Sequence, residues 1–284
     1  MKMVKKILLG LAAGAVAIGM ISCKNTDDTK KAIEGSGSNY SIDYTEEDGQ
    51  NYRAYKSTAM NHAGALVKIT FDNPENDNYS KMGVIFDLHD NDKDKNAKDF
   101  YIIGLAGSSS LNFYVSKFTN VTDLQADNFG TKLSENPAKE EVIYDTTNKS
   151  TGIGSITRPA AVDGKVSYYV YFKEFMNKTG DTSKGYFEYA VYSMDDETAA
   201  KVKTIVNSTE DGKNAAAIEG TNGVTKLYSD KIADAFDLKT NTDTQKKYLP
   251  QNQLAVYVNV IANKTLKGTW KFLEMYKEAE EIVE

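Results

Sequence analysis

Residues 83–118 read GVIFDLHDNDKDKNAKDFYIIGLAGSSSLNFYVSKF, and this stretch decides the fold. With Met82 just before it, Met82, Val84, Phe86 and Leu88 fall on one face at every second position. That is the period of a strand with one buried side. Two further runs, Phe100 to Leu105 and Leu111 to Phe118, follow after small and polar residues, so the stretch predicts three successive strands.

The same period extends in both directions. Upstream, Leu66-Val67-Lys68-Ile69-Thr70-Phe71 puts Val67, Ile69 and Phe71 on one face. Downstream, runs at Val166 to Phe172, Tyr186 to Tyr192, Leu254 to Ile261 and Leu266 to Phe272 are rich in Tyr, Phe, Val and Ile. The regular intervening helices of a parallel sheet are missing, so the pattern predicts an all-β antiparallel β-sandwich. One or two short peripheral helices are expected. The best is Asp195 to Asn207, where Ser193 with Asp196 makes a capping signature and Ala199, Val202, Ile205 and Val206 form a stripe. Asp230 to Phe236 and Met275 to Val283 also carry helical spacing. Trp270, between Gly268 and Phe272, is expected in the core.

Residues 83–118 and the hairpin LAVYVNVIANKTLKGTWKFLE (254–274) together resemble the jelly-roll sandwiches of the concanavalin-like and laminin-G-like families. The resemblance covers about half the chain and implies a fold, not a ligand.

The amino terminus carries a different signal. Lys2, Lys5 and Lys6 precede an apolar stretch from Ile7 to about Ile21, which ends at Cys23, the chain's single cysteine. This is the layout of a secretory signal peptide. The tetrapeptide Met20-Ile21-Ser22-Cys23 resembles the lipobox of bacterial lipoproteins, in the looser form found in spirochaetes, with Met20 where Leu is usual. The resemblance implies cleavage before Cys23, lipid on its sulfur and acylation of the new amino terminus. Lys24 is not the Asp that retains lipoproteins at the inner membrane in the best-studied systems, which favours the outer membrane or cell surface. The alternative is a thiol following an uncleaved helix, but about 15 apolar residues are short for a bilayer span. The organisation expected is a signal peptide over 1–22, a lipidated cysteine with a flexible tether over 23–50, and one sandwich domain over 51–284. The tether's polar, small composition around Gly35-Ser36-Gly37-Ser38 is that of a flexible linker.

Composition excludes several functions. The formal charge is −6, and removing residues 1–22 takes away three lysines and no acid, moving it to −9. Phosphate binding needs clustered cations, so nucleic acid is not an expected partner. Arg53 and Arg158 are the only arginines, which leaves few bidentate clamps. Two histidines and no thiol besides Cys23 argue against zinc. The chain lacks a G-x-S-x-G elbow, glycine-rich phosphate loops and a paired-glutamate strand of the E-x-D-x-E kind. Glu188 is followed by alanine and valine, so the acid and nucleophile of a sandwich glycosidase have no candidates and no enzyme is expected.

Two constellations remain. Asp90, Asp92, Asp94 and Asn96 occupy every second position of one loop, the spacing of oxygen ligands in a calcium loop. Lys95 and Tyr101 stand where such a loop has Gly and Glu, and an acidic solvated hairpin loop is the plainer reading. Tyrosine is plentiful, at 18 residues. Tyr169 and Tyr171, Tyr189 and Tyr257 fall on alternating strand positions and could stack on sugar rings or anchor a protein, or lie half-buried under loops. The function expected is a lipid-anchored surface lipoprotein that binds a glycan or a host or envelope protein. The alternatives are a structural or antigenic coat lipoprotein and, further off, a sandwich-fold glycoside hydrolase.

Overall fold

The computed structural model describes residues 33–47, 49, 52–61, 64–74, 79–90, 97–108, 112–121, 131–132, 140–144, 155–177, 184–208, 214–237, 253–276 and 280–282. Their elements run β1 (Ile33–Ser36), β2 (Asn39–Thr45), β3 (Tyr52–Asn61), β4 (Gly64–Phe71), β5 (Lys81–Asp90), β6 (Lys98–Ala106), β7 (Phe113–Val121), β8 (Thr131–Lys132) and β9 (Glu140–Tyr144). Then come β10 (Val166–Asn177), β11 (Lys184–Ser193), α1 (Asp196–Ser208), α2 (Asn214–Glu219), β12 (Thr225–Asp237), β13 (Gln253–Val260), β14 (Thr265–Tyr276) and β15 (Glu280–Ile282).

The strands form two sheets. One has the order β1-β2-β14-β4-β10-β11-β12, with β15 pairing parallel to the end of β10; the other has the order β8-β3-β13-β5-β6-β7-β9. The chain crosses between sheets at β2 to β3, β3 to β4, β4 to β5, β9 to β10, β12 to β13 and β13 to β14. Hence β14 lies between β2 and β4 while β13 lies between β3 and β5, the wrap of a jelly roll. The expected all-β sandwich with short helices is the fold observed.

Alternation buries what the sequence pattern placed inside. Val67, Ile69, Phe71 and Trp270 of one sheet and Met82, Val84, Ile103 and Val256 of the other join one core between the sheets. Phe86 reaches across to Phe172 and Phe187, each with ring centroids 5.1 Å away. Polar groups that enter this core are paired. The Trp270 indole N–H donates to Gly83 O at 2.9 Å, and Tyr168 donates to Ala106 O at 3.0 Å, meeting the need of buried donors for a partner. Gly268 makes room for the opposite sheet: a Cβ there would stand 2.4 Å from Met82 Sδ and from Thr70 O.

Five expectations are corrected. Residues 33–45 of the expected tether form the β1–β2 hairpin, because Tyr40 and Ile42 alternate into the core and the positive-φ Gly35 and Gly37 shape the turn. Leu88 does not share the face of Phe86. Asp87 adopts φ 53° within a β-bulge of β5, and this turns Leu88 to the outer side with Tyr55, Phe100 and Tyr257. The segment Asp230 to Phe236 is strand, because pairing along β11 outweighs its helical spacing. Met275 and Tyr276 continue β14, and 280–282 form β15, so the expected terminal helix is absent from the described residues. Helix α1 lies where expected, but its cap is Asp195, whose Oδ1 accepts the Thr198 N–H at 2.7 Å. Ser193 ends β11.

Candidate functional site

The alternation that buries Tyr40, Ile42, Leu266, Trp270, Ile69, Phe71, Val166 and Tyr168 turns their neighbours outward. On β2, β14, β4 and β10 those neighbours are polar, and strand register arranges them in rows. Thr269 is opposite both Ser41 and Thr70, and Thr70 is opposite Ser167. Four hydroxyls therefore cross four adjacent strands at intervals of about 4.8 Å. Thr269 is exposed and the other three are half-buried. Thr70 and Ser167 hydrogen-bond each other at 2.9 Å. Each hydroxyl offers one donor and two acceptor positions, so this pair keeps capacity for a ligand.

Charged rows flank the hydroxyls. On one side Lys267 bonds Asp43 at 2.8 Å and Lys165 bonds Asp72 at 2.7 Å. On the other, register aligns Asn39, Lys271, Lys68 and Tyr169. Lys68 Nζ lies 2.5 Å from Asp196 Oδ1, and the same oxygen accepts Tyr169 Oη at 2.8 Å. The lysine first and the tyrosine second hold the Asp196 carboxyl below its ordinary range, while burial with the hydrogen bond to Asp196 pushes the Tyr169 phenol up. The charges on this face are thus largely tied to one another. At its end, Asn73, Asn263, Lys264, Thr265 and Lys267 line an open concavity of about 530 Å³. Asn73 shapes it by donating to Thr265 O and accepting from Lys267 N, both at 2.9 Å.

The second half of this sheet is covered. Helices α1 and α2 place Ala199, Val202 and Ile218 over Leu66, Tyr169, Tyr171, Ala190 and Tyr192. Beside them a register row runs Tyr276, Gly64, Lys173, Glu188, Lys231 across five strands. Lys173 Nζ lies 4.5 Å from the Tyr276 ring centroid, and Lys231 Nζ lies 3.4 Å from Glu188 Oε2.

The four tyrosines expected to offer an exposed binding face do not do so. Tyr169, Tyr171, Tyr189 and Tyr257 are each at most 1% exposed and lie in three places. Tyr169 and Tyr171 are under the helices, Tyr189 is between the sheets and Tyr257 is on the outer side of the other sheet. Both faces of each sheet are partly covered, so a polar strand position did not imply solvent. Of the expected calcium ligands, Asp92, Asp94 and Asn96 lie outside the described residues. Asp90 ends β5 and pairs with Lys98. Among the described residues no group of three or more His, Cys, Asp or Glu could hold a metal ion, and no helix is long and apolar enough to cross a membrane. Cys23 also lies outside them. The hydroxyl row was missed because each member is visible in sequence only as a polar strand residue; register alone joins them.

No known family profile and no curated protein matches the chain. Among solved structures it is similar to the CBM2 module of the evolved Dit protein of Lactobacillus casei BL23 phage J-1. The identity is 6%, covering 84% of this chain and 72% of that one, with a TM-score of 0.28. A likeness that slight leaves the ligand to be argued from this chain's own residues.

Proposed function

We propose that the chain is an exported bacterial lipoprotein, anchored through acylated Cys23 at the outer membrane or cell surface, whose open sheet face binds a glycan without transforming it. The observation that carries the ligand is the row Ser41, Thr269, Thr70, Ser167, four hydroxyls in register on a face that no described helix covers. Such a row matches a polymer that itself offers hydroxyls as donors and acceptors along its length. A protein partner fits less well. Protein interfaces centre on buried aromatic and apolar anchors, and the exposed large hydrophobics among the described residues are Tyr79 and Val162, neither of which belongs to the rows.

The anchor rests on the basic start, the short apolar stretch and Cys23. Two acyl chains supply durable membrane attachment without a spanning helix, at about 0.8 kcal/mol per buried CH₂. A glycan array probed with the mature protein, with and without calcium, tests the ligand. Silence throughout would leave the coat-lipoprotein reading. Uptake of radiolabelled palmitate tests the anchor: wild type takes it up and Cys23→Ala does not, whereas labelling of the variant would refute attachment at Cys23.

A further inference from the structure

We infer that the α1–α2 pair is a displaceable cap, and that beneath it Tyr169, Glu188, Tyr192 and Tyr276 form a carbohydrate subsite continuous with the open face. The inference rests on the glycan reading of that face and names where its aromatic part lies.

Three buried polar atoms under and beside the cap have no hydrogen-bond partner: Glu188 Oε1, Tyr192 Oη and Tyr276 Oη. Tyr192 is fully buried and Glu188 is 7% exposed. Buried polar groups are almost always satisfied, and an orphan costs free energy. The closed cap therefore holds a cluster that a hydroxyl-bearing guest would relieve. A carboxylate acceptor, phenolic hydroxyls and tyrosine rings spread along the covered outer side of β14, β10 and β11 are the complement of a sugar chain, which has polar edges and an apolar face. Glu188 stands in register between Lys173 and Lys231, so its charge is balanced and the guest is a neutral sugar.

The cap is built to lift. It is inserted between β11 and β12, which pair directly with each other from Ser193 and Thr225 to Lys184 and Asp237. Moving it leaves the sheet intact. Its buried apolar contacts come from the modest side chains Ala199, Val202 and Ile218. Its start is latched by one oxygen, Oδ1 of an Asp196 side chain that is 77% exposed. Tyr169, which that latch covers, lies one row from the hydroxyls on the same strand as Ser167. A chain lying along Ser41, Thr269, Thr70 and Ser167 reaches Tyr169 by turning along β10, where Tyr169 follows Ser167 on the same face.

The test uses the full mature chain, acylated and in detergent, with maltohexaose, cellohexaose and chitohexaose as probes. Lys203 and Glu274 face each other across the edge of the cap, with Nζ 3.6 Å from Oε2. A Lys203→Cys/Glu274→Cys variant bridged by a short bismaleimide holds the cap closed. Affinity for the hexaose bound by wild type is expected to fall about tenfold or more on bridging, with the unbridged variant unaffected. Asp196→Ala is expected to bind more tightly and to exchange the amide hydrogens of α1 faster. Equal binding before and after bridging overturns the cap and leaves the open-face reading standing. Failure of wild type to bind any of the three overturns the capped subsite, while the glycan array decides the open-face reading separately.

Discussion

Tyr169 Oη donates to Asp196 Oδ1 at 2.8 Å, tying the first turn of α1 to the middle of the sheet it covers. The tie joins the two halves of the face, the open rows and the capped cluster, through a single carboxylate.

That carboxylate sets an acid dependence. Lys68 and then Tyr169 lower the Asp196 value in the folded state below the ordinary 3.8. A group with a lowered folded value contributes stability that is present above its unfolded value and lost as pH falls through the folded one. The contribution of this exposed pair is within about 1 kcal/mol. Urea midpoints of wild type and Asp196→Asn are therefore expected to differ by a constant amount from about pH 5 to 7 and to converge below about pH 4. A difference that grows on acidification would contradict the latch.

Trp270 holds the two sheets together by a hydrogen bond as well as by packing. Its N–H donates to Gly83 O at 2.9 Å, and the side chain is 1% exposed. Trp270→Phe leaves that carbonyl buried without its donor and a gap beside it, at a cost of about 2–4 kcal/mol. Circular dichroism in urea is the measurement. A lower midpoint with unchanged slope is expected, and an unchanged midpoint would show that the inter-sheet bond contributes nothing.

At the β13–β14 turn, Asn263 has φ 60° on the rim of the concavity. Asn and Gly tolerate that region and β-branched residues do not. Asn263→Gly is expected to melt within a few degrees of wild type, and Asn263→Val to lose about 1–2 kcal/mol. Calorimetry on the two variants separates conformational strain from loss of the amide, since both remove it.

How far the sequence was legible follows from what alternation can encode. Val67, Ile69 and Phe71 share a face because β4 is regular, and Leu254, Val256 and Val258 oppose Tyr257 for the same reason. Leu88 escaped the pattern because the Asp87 bulge adds a residue that periodicity does not register. The β1–β2 hairpin was hidden in polar composition, although Tyr40 and Ile42 already carried the alternation. The segment Asp230 to Phe236 shows the reverse: its local spacing was helical and pairing with β11 decided otherwise. The site was less legible than the fold. The tyrosines were identified by type, but cover by α1 and α2 is a tertiary fact, and the hydroxyl row exists only once β2, β14, β4 and β10 are in register.

The central claim is that the open face binds glycan through its hydroxyl row, and Thr70→Val/Thr269→Val tests it most directly. Both side chains point outward from paired strands, and valine keeps their shape and β preference. The expected result is a melting temperature close to that of wild type together with loss of binding to the array glycan that wild type retains. A folded double variant that binds that glycan as wild type does would contradict the account.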